Sequence, residues 1–243
     1  MEAVLAGIAP AFRDHPHDSQ KVFRLALEAM ARPARFLEAD FAGLFPAPPP
    51  LDPAAAALIL TLCDHDTGLY LSPSLAGAAG YFSFHTGARP CHPSEAAFAV
   101  AGDLSEAPPL DALGWGDEAC PDLGATLVIC CLPGGGGAVP PGMALRASGP
   151  GLGTPLEFAG HGLTEAFVGE RELMRACYPQ GVDVFLTGGS LICALPRTTA
   201  LERSRQGGRG RMRVAAKAGG GQGGRGSAGE HRRSGQGGEG ECT

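Results

Sequence analysis

The stretch that decides the fold is GVDVFLTGGSLICALPRTT, residues 181–199. Every second residue of its first half is aliphatic, and a second apolar run follows from Leu191 to Leu195. Alternation with period two is typical of a strand. Two glycines between two such runs favour a hairpin with a type I′ turn at Gly188 and Gly189, where both central residues need a positive φ. The second run is apolar on both faces, which predicts a strand inside a sheet.

A cation and two hydroxyls follow this buried strand. Pro196 ends the strand, and Arg197, Thr198 and Thr199 come directly after it. Binding groups are often presented where a rigid element ends. We therefore interpret these three residues as candidates that face a ligand or a partner, with an ordinary solvated strand end as the alternative.

The composition changes abruptly near the end of the chain. The 243 residues are 44% hydrophobic, enough for one sizeable core or two small ones. From Leu201 onward there are nine Lys and Arg, four Glu and fourteen Gly, so this part has a charge of +5 and residues 1–200 have a charge of −11. An acidic folded part makes a nucleic-acid backbone an unfavourable partner for it.

This break predicts two regions. Residues 1–199 form a single α/β domain, and residues 200–243 form a Gly- and Arg-rich disordered tail. The tail is interpreted either as a disordered extension or as the product of a shifted reading frame. RNA binding through it is a weak alternative, because RNA-binding segments of this kind usually interleave aromatic residues, and none occurs after Leu201.

The cysteines predict a reduced, cytoplasmic protein. The start of the chain shows no basic segment followed by a long apolar one, so no secretory signal is visible. Five of the eight cysteines lie in apolar runs, where cysteine usually acts as a small buried hydrophobe. No apolar run approaches the roughly 18 residues of a membrane span, and we predict no membrane association.

Helix and strand signals alternate along the chain. Helical spacing predicts a first helix at 19–31, capped by Asp18 or Ser19 after a polar loop, and a buried second helix that is capped by Asp52 and begins at Pro53. A further helix is predicted at 164–177. Strands are predicted at 36–41, 69–72, 96–100, 125–132 and 143–148, with a glycine-rich loop at 133–137. This order favours a three-layer α/β domain with a mixed central sheet and flanking helices.

Two further polar groups are candidates. Asp64, His65, Asp66 and Thr67 lie between the second helix and the next strand, where they could bind a cation or a polar ligand or simply form a turn. His85 and Thr86 end an aromatic stretch. Asp64, Asp66, Thr67, His85 and Thr86 are the candidates, which the family resemblance described below marks as facing a ligand or a partner.

Several common chemistries are excluded. The chain contains no P-loop, no G-x-S-x-G and no C-x-x-C, and the loop at Gly149 is G-x-G-x-G and not the G-x-G-x-x-G of a dinucleotide-binding site. A metal site made of Cys63, His65, His85, Cys91 and His92 is conceivable, but the spacing of these residues along the chain does not predict that they lie close together. Lys21 and Lys217 are the only lysines, and neither is placed like a Schiff-base lysine, so pyridoxal phosphate catalysis is not expected. We assign no catalytic, cofactor-binding or metal-binding residue.

Several phrases, taken together, resemble one protein family. They are FRLALEAMARP, LTLCDHDTGLYLS, FHTGARP, GATLVI, LRASGPG and GVDVFLTGGSLICALPRTT, which occur in this order between about Ser19 and Thr199. This pattern is similar to that of the PhnH subunit of the bacterial carbon-phosphorus lyase core complex. The resemblance implies a fold like that of the pyridoxal-phosphate-dependent transferases without the cofactor site.

The resemblance also implies a function. It indicates a non-catalytic or co-catalytic subunit that works with the G, I and J subunits, with L also required, to form a ribose 1-phosphonate 5-triphosphate from ATP and a phosphonate while adenine is released. We expect a homodimer when the chain is alone. The alternative is a stand-alone acid/base or metal-dependent enzyme that uses Asp64, His65 and Asp66.

Overall fold

The computed structural model describes residues 8–132, 134 and 142–204. Four α-helices and ten strands lie in these residues, and none of the helices is long and apolar enough to cross a membrane. In chain order they are α1 His15–Ala31, β1 Leu37–Glu38, α2 Pro53–Leu62, β2 Gly68–Leu71, α3 Ala79–Thr86, β3 Arg89–Pro90, β4 Phe98–Ala101, β5 Thr126–Cys130, β6 Met143–Ser148, β7 Leu156–Gly160, α4 Glu165–Arg175, β8 Asp183–Gly188, β9 Leu191–Leu195 and β10 Ala200–Arg203.

Seven strands make one mixed sheet, in the order β1-β9-β8-β5-β4-β2-β3. β9 is antiparallel to its neighbours β1 and β8, whereas the other pairs are parallel. All five residues of β9 are buried, as expected of a run that is apolar on both faces. The prediction of a hairpin whose second strand lies inside the sheet is confirmed.

The hairpin turn lies one residue later than predicted. Gly188 forms the last pair of the ladder with Leu191, so the two loop residues are Gly189 and Ser190. Gly189 has a φ of 58° and Ser190 does not have a positive φ, whereas a type I′ turn needs two positive values. The predicted type I′ turn is therefore wrong. Gly188 is required for another reason, because a Cβ at this position would collide with the carbonyl oxygen of Leu132.

The two faces of the large sheet are covered differently. Helices α1, α2 and α3 cover one face and form a buried cluster with sheet residues such as Val128 and Phe185. The other face, which carries Leu127 and Val184, is covered by α4 and by a three-stranded antiparallel sheet in the order β10-β6-β7. The predicted α/β class with a mixed sheet and helices is confirmed. The small second sheet replaces part of the helical layer that we expected on this face.

Helix α2 is enclosed on every side. Asp52 caps it by accepting a hydrogen bond from the backbone N–H of Ala55 at 2.9 Å, and Pro53 stands in the first turn. Residues 54–60 are at most 4% exposed, because the helix lies between the sheet and a covering layer. That layer includes Phe12, Phe41 and Phe45. The predicted deep burial of the second helix is confirmed.

The first helix begins four residues earlier than predicted. It starts at His15 instead of Ser19, with Asp14 as the N-cap that accepts from the backbone N–H of His17. Pro16 lies in the first turn, where a backbone N–H would have no partner within the helix. Its missing N–H therefore costs no hydrogen bond. The polar loop expected ahead of the helix is instead its first turn.

The folded domain extends beyond Thr199, the predicted boundary. Strand β10 pairs with β6 along its full length, and Leu201 is 1% exposed. The backbone N–H of Ser204 donates to the carbonyl oxygen of Ala144 at 2.9 Å. The rest of the predicted tail, residues 205–243, and most of the predicted loop at 133–137 lie outside the described residues.

Candidate functional site

The large sheet has two edges with different roles. We call the edge where the parallel strands β2, β4, β5 and β8 end the carboxyl edge, and the edge where they begin the amino edge. Because β9 runs in the opposite direction, the residues that follow it lie at the amino edge. In open α/β sheets, ligands bind outside the carboxyl ends of the strands.

All the candidates predicted from the sequence lie at the amino edge, in two groups. The residues of the first group lie either before β2 or at the end of α3. These two segments are in contact, because a Cβ built on Gly87 would lie 3.0 Å from the Cβ of His65. This group contains Asp64, Asp66, Thr67, His85 and Thr86. The second group follows β9 and contains Arg197, Thr198 and Thr199. Four strand spacings, roughly 19 Å at about 4.8 Å each, separate β2 from β9, so the structure does not bring the groups together.

The Asp64 group forms an exposed turn. The Asp64 Oδ1 accepts from the backbone N–H of Asp66 at 3.0 Å and from the hydroxyl of Thr67 at 2.9 Å. The bond from Thr67 holds the pKa of Asp64 below its usual range. His65 and Asp66 approach within 3.4 Å, with side chains that are 80% and 84% exposed. These bonds are those of an aspartate turn, so the geometry favours the turn interpretation of this sequence.

His85 and Thr86 hold neighbouring backbone in place. The Nε2 of His85 lies 2.9 Å from the carbonyl oxygen of Ala9, which ties the segment before α1 to α3. The hydroxyl of Thr86 donates to the carbonyl oxygen of Phe82 at 2.8 Å and accepts from the N–H of Ala88 at 3.0 Å. Both side chains therefore have local structural partners.

Arg197 is the centre of a half-buried ion pair. Its Nε and Nη2 donate to Asp183 Oδ2 at 3.1 Å and 2.7 Å, its backbone N–H donates to Oδ1 at 2.7 Å, and its Nη1 donates to the carbonyl oxygen of Pro121. The two side chains are 14% and 17% exposed. A Cβ on Gly124 would collide with the carbonyl oxygen of Gly181 and would lie 2.7 Å from the guanidinium, so glycine is needed there. Arg197 thus links the start of β8 and the end of β9 to the segment that enters β5.

A second arginine supports the same turn from inside. The Nη2 of Arg171 donates to the carbonyl oxygens of Leu195 at 3.2 Å and Pro196 at 2.8 Å, and burial lowers the pKa of Arg171 to about 10. Pro196 also accepts from the backbone N–H of Thr199. Within the described residues, the Thr199 hydroxyl and the Nε and Nη1 of Arg171 make no hydrogen bond. Thr198 is half-buried.

The carboxyl edge contains a topological switch point between β2 and β4. From β2 the chain continues through α3, on the helical face, to β3. From β4 it continues to β5 on the other side, through a segment whose Leu110 and Leu113 pack on the opposite face. Connections that leave neighbouring strands in opposite directions open a crevice between the strand ends, where ligands bind in sheets of this type.

Serine and carboxylate side chains meet at this switch point. Ser72 follows β2, is fully buried, and donates to Glu106 Oε2 at 2.7 Å while accepting from the N–H of Gly102 at 3.1 Å. Ser74 donates to the same Glu106 oxygen. The bonds from Ser74 and Ser72 hold the pKa of Glu106 below its usual range. The carboxylate is therefore ionised at neutral pH and joins the ends of β2 and β4.

An open cavity of about 620 Å³ lies beside this cluster, and half of its described lining residues are exposed. Three segments line it: the loop after β4, the end of β5, and the junction between β7 and α4. The lining residues are Asp103, Leu104, Ser105, Cys130, Cys131, Leu132, Gly162 and Thr164. Its volume lies in the range of small-molecule sites. Burial raises the pKa of both cysteine thiols to about 12, so they are neutral at physiological pH.

Asp52 lies near Cys130 at the end of β5, and its charge raises the pKa of that thiol further. Its Oδ2 accepts from the backbone N–H of Gly189, which connects α2 to the hairpin turn. Burial raises the pKa of Asp52, against the effect of these N–H bonds and of the nearby Thr187 hydroxyl. That hydroxyl makes no hydrogen bond of ordinary geometry with any described residue.

The residues of the carboxyl edge were not recognised as site residues from the sequence. Asp52 was identified only as a cap, and Ser72, Asp103 and Glu106 were not singled out. A usable signal was the position of Ser72 at the end of the predicted strand 69–72 and of Asp103 three residues after the predicted strand 96–100, provided that the strand directions were known. Among the described residues, no three His, Cys, Asp or Glu side chains are grouped in a way that could hold a metal ion.

Comparison with known proteins gives a consistent result. The model of the family described as "Bacterial phosphonate metabolism protein (PhnH)" matches residues 10–202. A relative from Rhizobium meliloti (strain 1021), the alpha-D-ribose 1-methylphosphonate 5-triphosphate synthase subunit PhnH, is 36% identical over 196 residues. The aligned region covers 79% of this chain and 94% of the relative. The family match includes both edges of the sheet and ends within β10. The chain therefore belongs to the bacterial PhnH family of phosphonate metabolism proteins.

Proposed function

We propose that the chain is a subunit of the carbon-phosphorus lyase core complex in phosphonate degradation. In this role it supports the formation of ribose 1-phosphonate 5-triphosphate from ATP and a phosphonate, with release of adenine. The observation that carries the proposal is the similarity to a synthase subunit over 94% of that subunit's length. The proposed partners are the G, I and J subunits, and the proposed location is the cytoplasm.

Within the complex we propose a non-catalytic or co-catalytic role. The polar side chains at the amino edge are held by internal bonds, as Arg197 is by Asp183 and Thr86 is by Phe82. The half-buried thiols at the carboxyl edge are protonated, which makes them poor nucleophiles. Both observations support a chain that completes its chemistry with other subunits.

We also propose that the domain is related to the pyridoxal-phosphate-dependent transferases without the cofactor site. The support for the missing cofactor site comes from Lys21, the sole lysine in the described part of the chain. Its side chain is 62% exposed and pairs with Asp18 at 2.9 Å. A Schiff-base lysine needs a desolvated pocket, which this position on the surface of α1 does not provide.

The test is co-expression of the full chain with the G, I and J subunits, followed by affinity capture of one partner and size-exclusion chromatography. We expect stoichiometric co-elution. A chain truncated after Ser204 should behave in the same way, whereas truncation after Thr199 removes β10 and should reduce soluble yield. Assembly of the other three subunits without this chain would contradict the proposal. The chain alone is expected to be a homodimer by light scattering.

Two alternatives have their own measurements. Turnover of ATP and phosphonate by the purified chain, lost in Asp64→Asn, would identify a stand-alone enzyme; we expect no turnover, because the Asp64 turn is exposed. RNA binding would depend on the tail, which lies outside the described residues. It would appear as salt-dependent binding that disappears on truncation after Ser204.

A further inference from the structure

The cavity at the carboxyl edge has walls that are fixed by the protein itself. The backbone N–H of Leu132 donates to the carbonyl oxygen of Thr187 at 2.8 Å, which attaches one wall to β8. Gly162 has a φ of 69°, and a Cβ on it would lie 2.6 Å from the Cβ of Cys131. Two walls therefore meet at a contact that only glycine permits.

One wall carries an ionised carboxylate. The Asp103 Oδ1 accepts from the N–H and the hydroxyl of Ser105 at 2.7 Å and 2.6 Å, and from the N–H of Glu106 at 3.3 Å. The hydroxyl bond from Ser105 holds the pKa of Asp103 below its usual range. All its hydrogen bonds from described residues go to Oδ1, and Asp103 is exposed, so Oδ2 is a charged acceptor available at the open cavity.

The other described residues of the lining are neutral. Leu104 and Leu132 supply apolar surface, and the thiols of Cys130 and Cys131 are protonated. The Thr164 oxygen accepts from the N–H of Phe167 at 3.2 Å as the cap of α4, and its hydroxyl hydrogen remains a donor. Among the described residues that line the cavity, there is no Lys, Arg or His.

This distribution of charge disfavours phosphate and phosphonate groups. Protein sites for such anions use arginine, lysine or several converging backbone N–H groups. The amino end of α4 at Thr164 attracts negative charge, but Asp103 already supplies a carboxylate to the same cavity. A ligand suited to these walls is uncharged or cationic, has apolar faces, and carries an N–H donor for Asp103.

We propose that this cavity binds an uncharged heterocycle with an amino group, of the purine-base class, and not a nucleotide triphosphate. The proposal rests on the proposed function, in which such a base is released. It assigns to this chain a site for the base, and it leaves recognition of the phosphate groups to other subunits.

The test is equilibrium binding of adenine, adenosine, ATP and methylphosphonate to the full chain by titration calorimetry. We expect saturable binding of adenine and adenosine, binding of ATP that is at least about tenfold weaker, and no binding of methylphosphonate. Asp103→Asn keeps the Oδ1 cap but replaces the charged acceptor, so adenine affinity should fall by about tenfold. Asp66→Asn, at the exposed turn of the opposite edge, should leave it unchanged.

A second measurement keeps the test independent of the variant's stability. Hydrogen exchange of the unmodified chain should slow at 103–105 and 130–132 when adenine is added. Absence of adenine and adenosine binding by the folded chain, tighter binding of ATP than of adenine, or protection confined to other segments would overturn the proposal. Co-elution with the other subunits is measured separately, so failure of this inference and failure of the proposed function are distinguishable.

Discussion

Replacing Arg197 with methionine tests whether this residue stabilises the amino edge or faces a partner. The substitution removes two hydrogen bonds to Asp183, of 3.1 Å and 2.7 Å, and one to the carbonyl oxygen of Pro121. Removing one partner of a buried ion pair costs about 3–5 kcal/mol, because the remaining charge is left unpaired. The pair is 14% and 17% exposed, and the backbone N–H of Arg197 still donates to Asp183. We therefore expect a loss near the lower limit, about 3 kcal/mol of the free energy of unfolding.

The assay is urea denaturation followed by fluorescence and circular dichroism. Trp115 is the sole tryptophan, and its carbonyl oxygen accepts from the backbone N–H of Gly181 at 2.9 Å, so its fluorescence reports on this edge. Arg203→Met is the matched control. It breaks an ion pair with Glu165 whose side chains are 74% and 69% exposed, and such surface pairs contribute about 0–1 kcal/mol.

The reasoning would be refuted if Arg197→Met unfolded at the same urea concentration as Arg203→Met. It would also be refuted if the variant kept its stability but failed to join the other subunits, because Arg197 would then face a partner as the sequence suggested. A double variant with Asp183→Asn should lose less than the sum of the two single variants, since both substitutions disrupt the same interaction.

Three further predictions concern the carboxyl edge and its cysteines. Asp52→Asn keeps a good cap but replaces the oxygen that accepts from the N–H of Gly189. Because burial raises the pKa of Asp52 in the folded state, wild-type stability contributed by this group is present below its unfolded pKa and is lost as the pH rises. The stability of the variant relative to the wild type in urea denaturation should therefore increase from pH 4 to pH 7, and a difference that does not change with pH would contradict this. Iodoacetamide at pH 8, followed by mass spectrometry, should modify the exposed Cys120 and Cys177 well before Cys130 and Cys131; equal rates in the folded chain would argue against buried, protonated thiols. Gly162→Ala combines a φ of 69° with a Cβ contact of 2.6 Å and should cost at least about 1–2 kcal/mol. Gly169→Ala, in α4 with open space around it, should instead stabilise by up to about 1 kcal/mol, and similar melting temperatures for these two variants would contradict the geometry.

The parts of the fold that depend on local pattern were predictable. The period-two run before Gly188 and the two-sided apolar run after it identified β8 and β9 as a hairpin inside a sheet. Asp52 and Pro53 marked the start of α2, and its apolar composition indicated its burial. In each case the signal lies within a few residues, and the structure uses it locally.

The direction of strands was not predictable from these patterns, and this determined where the candidate site was expected. Arg197 follows a buried strand, but β9 runs against its neighbours, so Arg197 lies at the amino edge. The antiparallel sheet of β6, β7 and β10 was missed because β10 lies where the composition had already changed. The cavity unites Asp103, Cys131 and Thr164, which are far apart in the chain, and no local spacing indicates that they meet.

The antiparallel position of β9 inside the sheet affects how the domain can fold while the chain is being synthesised. β1, near the start of the chain, finds its pairing partner only in β9, and α1 packs against the same late strand. During translation, the apolar side of α1 therefore has no sheet to cover until almost the whole domain has been made. Contacts between such distant segments slow folding and leave early segments open to aggregation. Nascent chains that stop before Leu195 should therefore depend on chaperones, whereas chains released after β10 should not.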